Sequence, residues 1–450
     1  MNLDPGIASA FLQAMDFEPL VELVRAELCQ REQEGYDVSA FRPAVEQPGS
    51  AGQMIQTYLG LQCAPRKPEF RFDEPETLAG IQAARPSGPR QRESALAREV
   101  LLDRIQGAWL GRAAGCLLGK PVELWASREK IARYLKLAGA YPLSDYIPRL
   151  EALPADFDFA PQSQGCFRGE IYAAPQDDDT DYSILGLHIL ESHGLDFSTA
   201  GVAAEWLGHL AYLNTWTAER AVYRNLVLGI PPLLAANFFN PEREFIGARI
   251  RVDVYGLACP GNPQRAAELA YRDAALSHGK NGVYSAMFMA ACIAWSFVTA
   301  DVAEIIRVGL SEIPVNCRQA QAIRDALQLH QGIPDWETAC DRLLAANVAY
   351  PAGHAINNTA LMTLAMLYGG GDFEKTICLA VMGGLDTDCN AANAGTVLGV
   401  LTGAAALPSR WTSPLHDTLH SAVTPFGTLS LSALASRTSS LVPTPLLTVH

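Results

Sequence analysis

Four glycines spaced four residues apart place the strongest limit on how this chain can fold. They stand in the run GAWLGRAAGCLLGKPVE, at Gly107, Gly111, Gly115 and Gly119. Because residues four apart lie on one face of a helix, the spacing predicts a helix with a ridge that lacks side chains. Each glycine costs about 1 kcal/mol in a helix relative to alanine. We therefore expect this ridge to pack very closely against a neighbouring helix or a ligand.

Helical periodicity dominates the rest of the chain as well. Apolar residues recur at helical spacing, strand-like alternation is scarce, and no repeat of fixed period is evident. The pattern therefore predicts an all-α fold, with one weak candidate for a β element at residues 248–258. The predicted helices span residues 98–118, 180–192, 197–212, 215–228, 263–277, 282–298, 301–310, 316–331, 335–346, 354–369, 373–382 and 389–402.

The N-terminal hundred residues differ from this body. Residues 1–40 show helix-like spacing, whereas residues 42–95 carry seven prolines and little periodicity, which predicts an extended arm or linker. We expect that arm to wrap the main body or to be partly mobile. The predicted organisation is a helical segment with a proline-rich arm over 1–97, a main helical domain over 98–437 and a loosely held tail over 438–450.

Composition excludes several classes of protein. The 450 residues contain 48 Asp and Glu against 34 Lys and Arg, with 49% apolar and 18% charged residues. This balance argues against a disordered chain and against a nucleic-acid binder, which needs a basic face. The longest apolar stretch, 286–300, is shorter than the roughly 20 residues that a bilayer requires, so it predicts a buried core helix. With no signal peptide and no CxxC pair, we expect reduced thiols in a cytoplasmic protein without a membrane partner.

The first motif with chemical meaning is the acidic run QDDDTD at residues 176–181. It places Asp177, Asp178, Asp179 and Asp181 directly before the apolar run YSILGLHIL. Carboxylates this close raise one another's pKa unless solvent, a helix N-terminus or a divalent cation offsets them. An acidic cap on a surface helix is the alternative, but three consecutive aspartates favour a metal site.

The second motif is GGLDTDCN at residues 383–390, where Asp386 and Asp388 precede a helix of small residues. It lies far from the first motif in sequence, so only the fold can bring the two together. Two aspartate-rich helix starts in one helical protein predict facing halves of a hard-cation site. Oxygen ligands of this kind suit Mg²⁺, Mn²⁺ or Ca²⁺.

Together with the glycine helix, these motifs resemble the ADP-ribosylglycohydrolase family of the dinitrogenase-reductase-activating glycohydrolase type. Residues 107–123 resemble its GAxxGxAxGDxLGxPxE-like helix, residues 177–180 its TDDT-like motif, and residues 385–389 its GGDTDT-like motif. The motif sequences are most similar to those of a bacterial branch with DDDTxY and GWDTDCN motifs. The resemblance covers roughly residues 98–437.

The resemblance implies a compact orthogonal helical bundle around a central metal cleft that holds one or two ions of Mg²⁺ or Mn²⁺, with Ca²⁺ as a further candidate. It implies hydrolysis of an N- or O-glycosidic bond at the anomeric carbon of ADP-ribose or of a related ribosyl or nucleoside substrate. Glu123, Asp178 and Asp179 are the implied catalytic acids. The implied metal ligands are Asp177, Asp178, Asp179, Asp386, Asp388 and Cys389.

Four positions depart from the family pattern. Asp177 and Cys389 replace threonines, Cys116 replaces an acid, and Leu385 replaces a glycine. A thiol matches Mg²⁺ poorly, so one metal instead of two, or another choice of metal, stays open. A small-molecule substrate in place of an ADP-ribosylated protein stays open as well.

Five further residues are candidates for substrate binding because they lie in or near the matched motifs and polar loops. For each polar one, a capping or structural role is the alternative. They are Tyr182, His278, Asn281, Gly282 and Gly119.

Two other functions are open on the sequence alone. The chain fits a catalytically weak or inactive member of the same fold that binds a ligand or serves a structural role. The pattern Asp177-Asp178-x-x-Asp181 also fits the DDxxD motif of helical enzymes that bind Mg²⁺ and a prenyl diphosphate, although residues 386–388 do not match their second motif. The leaving group and the oligomeric state, monomer or homodimer, are open as well.

Overall fold

The computed structural model describes residues 11–92 and 96–443, which form an all-α fold with one small β-hairpin. The helices are α1 (Phe17–Gln33), α2 (Arg42–Glu46), α3 (Ala51–Leu61), α4 (Leu78–Ala84), α5 (Arg98–Gly119), α6 (Arg128–Leu137), α7 (Asp178–His193), α8 (Thr199–His209), α9 (Thr217–Val227), α10 (Pro232–Ala235), α11 (Gly247–Ile250), α12 (Asp253–Leu257), α13 (Pro263–Ala274), α14 (Lys280–Ser296), α15 (Val302–Leu310), α16 (Arg318–Gly332), α17 (Trp336–Ala346), α18 (Ala355–Gly369), α19 (Phe373–Met382), α20 (Thr387–Thr402), α21 (Ser409–Thr412) and α22 (Leu431–Ser440). Strands β1 (Thr418–His420) and β2 (Thr428–Ser430) pair antiparallel, with Leu419 opposite Leu429.

The helices predicted in the main body are confirmed, and each begins and ends within three residues of its predicted bounds. Their starts follow from local chemistry. Ser198, Asp335 and Asp372 each accept a hydrogen bond from a backbone N–H in the first turn of the helix that they precede. Such side chains satisfy donors that have no partner inside the helix.

Helix α14 forms the centre of the core, because each of its residues from Lys280 to Ser296 is buried. This confirms the prediction that the apolar stretch starting at Ala286 is a core helix. Helices α11, α12, α13 and α15 pack around it. Within the described part of the chain, no helix combines the length and the apolar character that crossing a membrane would need.

The glycine ridge of α5 packs directly on the backbone of α20, as the spacing predicts. A Cβ atom added to Gly111 would lie 2.1 Å from the backbone oxygen of Gly395. One added to Gly119 would lie 2.3 Å from the backbone nitrogen of Asp388. Because any side chain on the ridge would push the helices apart, the four glycines hold the end of α5 against the start of α20.

The β element predicted at 248–258 is wrong, since these residues form the one-turn helices α11 and α12. The charges at Arg249, Arg251 and Asp253 resembled the solvent side of a strand. All three are buried, and Arg251 pairs with Glu219 at 2.6 Å. The alternation therefore reflects charged residues with buried partners on other elements rather than a half-exposed sheet.

The arm predicted over 42–95 is not extended throughout, because it contains α2, α3 and α4. Pro43 lies in the first turn of α2, where a proline removes no hydrogen bond, and Ser50 and Thr77 cap α3 and α4. At the other end of the chain, α22 runs to Ser440 and the buried Thr438 accepts a hydrogen bond from Trp109, so this part of the predicted tail is held in place. Residues 1–10 and 444–450 of the predicted terminal segments lie outside the described residues.

The N-terminal segment lies on the main body through an apolar cluster and a buried ion network. In the apolar cluster, Phe239 of the body stacks on Phe11 and Tyr58, with ring centroids 4.1 and 5.5 Å away. The network, called here the docking network, pairs carboxylates and cations at N–O distances of 2.5–2.8 Å. Its members are Glu27, Glu34, Glu74, Glu244, Arg31, Arg243, Lys280 and Arg318.

Candidate metal centre

The fold brings the two acidic motifs together at the end of α5. The Sγ atom of Cys116 and one carboxylate oxygen each of Asp177, Asp179 and Asp388 all lie within 4.8 Å of one another, and all four residues are buried. An overlapping group joins Asp386 and Asp388 with Cys389. The carboxylates at this place are called the acidic cluster; they belong to Glu123, Asp177, Asp178, Asp179, Asp386 and Asp388.

Two helix N-termini supply part of the positive charge that offsets the repulsion between these carboxylates. Asp177 caps α7 and accepts a hydrogen bond of 2.9 Å from the backbone N–H of Asp179. Asp388 lies in the first turn of α20, and its Oδ1 atom accepts one of 2.9 Å from the N–H of Cys389. The positive ends of both helix dipoles therefore face the cluster.

A buried amide network fixes the start of α20. The Oδ1 atom of Asn358 accepts hydrogen bonds from the backbone N–H of Asp386 at 3.1 Å and from Nδ2 of Asn390 at 2.8 Å. Arg249 donates in turn to Oδ1 of Asn390 at 2.6 Å. Asp386 is thus positioned by contacts that leave its own carboxylate free.

Lys120 extends into the acidic cluster from the 3₁₀ turn Lys120–Trp125, which follows α5. Its Nζ atom contacts Oδ2 of Asp177, lies 3.3 Å from Oε2 of Glu123 and lies 3.5 Å from Oδ2 of Asp388. Burial lowers the pKa of Lys120, but these three carboxylates raise it well above its usual value. An ammonium ion therefore occupies one side of the cluster.

Arg112 is the second cation that pairs with the cluster, but two buried carboxylate oxygens have neither a hydrogen bond nor an ion pair. Its Nη1 atom donates to Asp253 at 2.5 Å, and its Nε atom donates to the backbone oxygen of Asp179 at 2.8 Å. Oδ2 of Asp179 and Oδ1 of Asp386 are buried without a hydrogen-bond partner. Since an unpaired buried carboxylate oxygen is costly, these two atoms indicate a place for a cation.

The pKa shifts agree with an excess of negative charge. Burial raises the pKa of Asp179 to about 8, against the opposing effect of Arg112 and with a further rise from Asp177. Burial and neighbouring carboxylates raise the pKa values of Asp178, Asp388 and Glu123 as well. The donor set fits a hard divalent cation, which would restore these groups to their charged form.

The two thiols near the cluster fit such a cation less well. Burial raises the pKa of both Cys116 and Cys389, and the surrounding aspartates raise it further. A protonated thiol is a weak ligand, and sulfur is a poor match to Mg²⁺. The ten cysteines are all free of disulfide bonds.

The remaining acids of the first motif have different surroundings. Asp178 is half-buried and belongs to neither group of converging ligand atoms, so its assignment as a ligand stays a prediction. Asp181 accepts hydrogen bonds from Ser421, the backbone of Ala422 and Gln176 at 2.6–3.0 Å. With both of its oxygens satisfied, Asp181 is not available for the DDxxD arrangement of the prenyl-diphosphate enzymes.

The predicted substrate-binding residues lie at several places. Tyr182 is buried, and its hydroxyl group has no hydrogen-bond partner. Nδ1 of His278 lies 2.8 Å from the Oγ atom of Ser277, and burial lowers the pKa of this histidine. A Cβ atom on Gly282 would lie 2.7 Å from the backbone oxygen of Arg243.

Asn281 and Gly119 both make contacts inside the protein. Asn281 donates to Glu74 at 2.9 Å and to Glu244 at 2.7 Å, so it contacts two members of the docking network. Gly119 contacts the start of α20, and its backbone oxygen accepts a hydrogen bond of 2.9 Å from Thr387. Substrate contact by these five residues stays a prediction.

A groove opens beside the acidic cluster. It has a volume of about 530 Å³, and its lining includes Ser127, Arg128, Tyr350, Asn357 and Leu385. Leu385 adjoins Asp386 and has a left-handed backbone, with φ 59°, where the family pattern has a glycine. Leu385 therefore brings one residue of the second acidic motif into the lining of the groove.

Sequence reasoning missed Lys120 and Arg112, although both stand inside the glycine-rich run. The available signal was a charge within a stretch of glycine, alanine and leucine. A single charge on the buried face of such a helix requires a buried partner of opposite sign. The acidic motifs provide that partner for both residues.

Comparison with known proteins identifies a family whose model matches most of the chain. The family model described as ADP-ribosylglycohydrolase matches residues 97–442. A solved structure described as an ADP-ribosylglycohydrolase-related protein complex is 20% identical over 76% of this chain and 98% of that chain, with a TM-score of 0.48. No curated protein matches the sequence.

Proposed function

This chain belongs to the ADP-ribosylglycohydrolase family, and on that premise we propose that it is a cation-dependent glycohydrolase. Its substrate is ADP-ribose linked through an N- or O-glycosidic bond, or a related ribosyl compound or nucleoside. The observation that carries the proposal is the pair of buried, unpartnered oxygens on Asp179 and Asp386, which come from two distant motifs and lie in one cluster. Placement in the bacterial DDDTxY branch stays a prediction.

The cation is held by the carboxylates of Asp177, Asp179, Asp386 and Asp388. Mg²⁺ and Mn²⁺ suit this oxygen-rich set best, with Ca²⁺ as the further candidate. When bound, such an ion supplies positive charge that orients hydroxyl groups and lowers the pKa of water. The half-buried Asp178 stays beside this set as a carboxylate that faces the substrate.

We propose one divalent ion rather than two, because Lys120 already supplies a positive charge. Its ammonium group contacts Asp177 and lies 3.5 Å from Asp388, so it neutralises one side of the cluster. The unpartnered oxygens of Asp179 and Asp386 lie on residues that Lys120 does not pair with. The ion is therefore expected next to those two oxygens.

The reaction requires a proton transfer and a stabilised positive charge. Hydrolysis breaks the bond between the anomeric carbon and the leaving group, adds the hydroxide part of water to that carbon and transfers the proton of water to the leaving group. Glu123 is the proton carrier, since burial raises its pKa above the ordinary value and its side chain stays partly exposed. Asp178 stabilises the positive charge that develops on the sugar ring.

The groove beside Leu385 provides the binding surface for the rest of the substrate. Its volume of about 530 Å³ suits a ligand of nucleotide size. Arg128 lines it, and its guanidinium group is the proposed donor to a phosphate oxygen. Tyr350 on the lining provides an aromatic face for a base.

The direct test measures ADP-ribose released from ADP-ribosylated arginine and serine peptides and from a free nucleotide substrate. Wild-type protein is expected to release product with Mg²⁺ or Mn²⁺ and to lose activity in EDTA, with recovery when the ion is returned. Asp179→Asn is expected to remove activity, whereas Asp196→Asn, at a largely exposed carboxylate, keeps it. Full activity in rigorously metal-free protein would contradict cation dependence.

A ligand-binding member of the family is the second candidate, favoured by Lys120 in the cluster and by the thiols at positions 116 and 389. Calorimetry with Mn²⁺ and ADP-ribose distinguishes it from the enzyme. Binding of both without turnover of any of the tested substrates would establish the binding role and contradict the glycohydrolase.

A further inference from the structure

Three histidines and a glutamate converge on one face of α7 and α8, away from the acidic cluster. Nε2 of His188 lies 3.2 Å from Nε2 of His209. Oε2 of Glu205 lies 3.1 Å from each of these two nitrogens. The other oxygen of Glu205, Oε1, lies 2.7 Å from Nε2 of His193.

The triangle formed by the two nitrogens and the oxygen has the dimensions of a metal site. In a tetrahedral zinc site with metal–ligand distances of about 2.0–2.1 Å, neighbouring ligand atoms lie about 3.3–3.4 Å apart. The edges of this triangle are 3.2, 3.1 and 3.1 Å. Each edge of the triangle would therefore have to lengthen only slightly for the three atoms to surround one ion.

The hydrogen bonding of His209 fixes which of its nitrogens is free to bind. Its Nδ1 atom lies 2.6 Å from the backbone oxygen of Thr424. Because a carbonyl oxygen only accepts, Nδ1 carries the hydrogen, and Nε2 is the nitrogen left for His188, Glu205 or an ion. Histidine ligands usually donate their other N–H to such a carbonyl, which orients the ring.

The helices place these residues without distortion. Glu205 and His209 are four residues apart on α8, so they share one face of that helix. His188 extends from α7, ten residues after Asp178, which places it about 15 Å along the helix from the acidic motif. The side chains of His188, Glu205 and His209 are 22%, 13% and 27% exposed, so an ion can reach them from solvent.

We propose that His188, Glu205 and His209 form a second metal site that takes Zn²⁺ or a similar transition-metal ion. Two imidazoles and a carboxylate suit such an ion and do not suit Mg²⁺. Three protein ligands leave the fourth position for water or another small ligand. His193 is a positioning residue, since it holds the free oxygen of Glu205. The site joins α7 to α8 and does not depend on the proposed glycohydrolase activity.

The test loads the full chain with Co²⁺ in buffer that contains excess Mg²⁺ to occupy the acidic cluster. Four-coordinate Co²⁺ with imidazole ligands absorbs visible light far more strongly than the hydrated ion. Wild-type protein is expected to bind one Co²⁺ with this spectrum and to release it to Zn²⁺. His188→Ala and His209→Ala are each expected to abolish the spectrum, and His193→Ala to weaken binding about ten-fold.

The matched control is His420→Ala, which removes an exposed histidine on β1 and is expected to keep the spectrum. Circular dichroism confirms that each variant is folded, and Glu205→Gln replaces any alanine variant that is not. A wild-type chain without the spectrum would show that these residues form only a hydrogen-bonded cluster and would overturn the proposal. A spectrum that survives in both the His188 and His209 variants would overturn it as well.

Discussion

The docking network and the acidic cluster both bury carboxylates, but they balance charge differently. The docking network sets four carboxylates against four cations, and none of its buried carboxylate oxygens lacks a hydrogen-bond partner in the described part of the chain. The acidic cluster contains six carboxylates, and its ion pairs involve only two cations, Lys120 and Arg112, in the described part of the chain. Arg112 also pairs with Asp253, which lies outside the cluster. Three of its buried oxygens have no hydrogen-bond partner, and two of these, on Asp179 and Asp386, also lack the contact with Lys120 that Asp177 has.

The pKa shifts of the two regions have opposite signs. In the docking network, burial raises the pKa of Glu34, but Arg243 and Lys280 outweigh it and hold the value at about 2. In the acidic cluster, burial raises the pKa of Asp179 to about 8, and Arg112 compensates only in part. Breaking one pair of a satisfied buried network is strongly destabilising, because it leaves an uncompensated charge. A cluster with excess negative charge is instead a candidate site for a cation.

The largest expected effect comes from removing a cation of the docking network. Arg318→Met removes the cation that pairs with the buried carboxylates of Glu74 and Glu244 and leaves them with neutral donors such as Asn281. The expected loss in the free energy of unfolding is about 3–5 kcal/mol, measured by urea denaturation. Arg307→Met, at a mostly exposed side chain, is the control and should change stability by less than about 0.5 kcal/mol. Equal losses in the two variants would show that the docking network does not stabilise the fold in this way.

In the acidic cluster, removing a charge is expected to have the opposite effect on the metal-free protein. Asp388→Asn should leave the metal-free protein as stable as wild type or more so, because burial and Glu123 disfavour its charged form. The same change should weaken Mn²⁺ binding by more than about 100-fold, since a ligand matters more than its outer-shell partner. Calorimetry and thermal unfolding in EDTA measure both quantities. A strong loss in the stability of the metal-free variant would show that the Asp388 carboxylate stabilises the fold and would contradict this prediction.

The dependence of stability on pH separates the two regions further. The pKa of Glu34 is about 2 in the folded protein and 4.5 ordinarily, so its contribution is complete above pH 4.5 and is lost as the pH falls toward 2. The stability difference between wild type and Glu34→Gln should therefore shrink by about 2 kcal/mol between pH 6 and pH 3. Urea denaturation across that range measures it. A difference that stays constant with pH would contradict the described ion pairs.

The smallest expected effect concerns the number of ions. Lys120→Met frees the oxygen of Asp177 that the ammonium group contacts and removes a positive charge from the cluster. Mn²⁺ should then bind roughly ten-fold more tightly, or a second ion should bind. Elemental analysis and calorimetry give the count, with Lys130→Met as the control on the neighbouring helix α6. An unchanged count and affinity would contradict the role given to Lys120.

The sequence allowed a good prediction where the signal was local. Helix bounds followed from periodicity. The glycine ridge predicted close packing against a neighbouring helix or a ligand, and the contact between Gly111 and Gly395 is packing of that kind. The convergence of Asp179 with Asp388 was predicted from the two aspartate-rich helix starts and from the family resemblance, but its geometry was not, because residues so far apart in sequence meet only through the fold.

Predictions failed where charges were buried. Arg249 and Arg251 have the spacing of a half-exposed strand, yet their partners lie on other helices and only the fold reveals them. The proline-rich segment contains helices because its prolines lie in first turns or in connections. Lys120 was missed because its role depends on three carboxylates. Glu123 lies three residues later in the same turn, whereas Asp177 and Asp388 are distant in sequence.

The most direct test of a single-cation site is a crystal structure of the full chain grown with Mn²⁺, with an anomalous difference map. We predict one strong peak within ligand distance of Oδ2 of Asp179 and Oδ1 of Asp386, with Lys120 still paired to Asp177. A map without a peak in the acidic cluster, at a Mn²⁺ concentration that saturates the protein in solution, would contradict the proposed site.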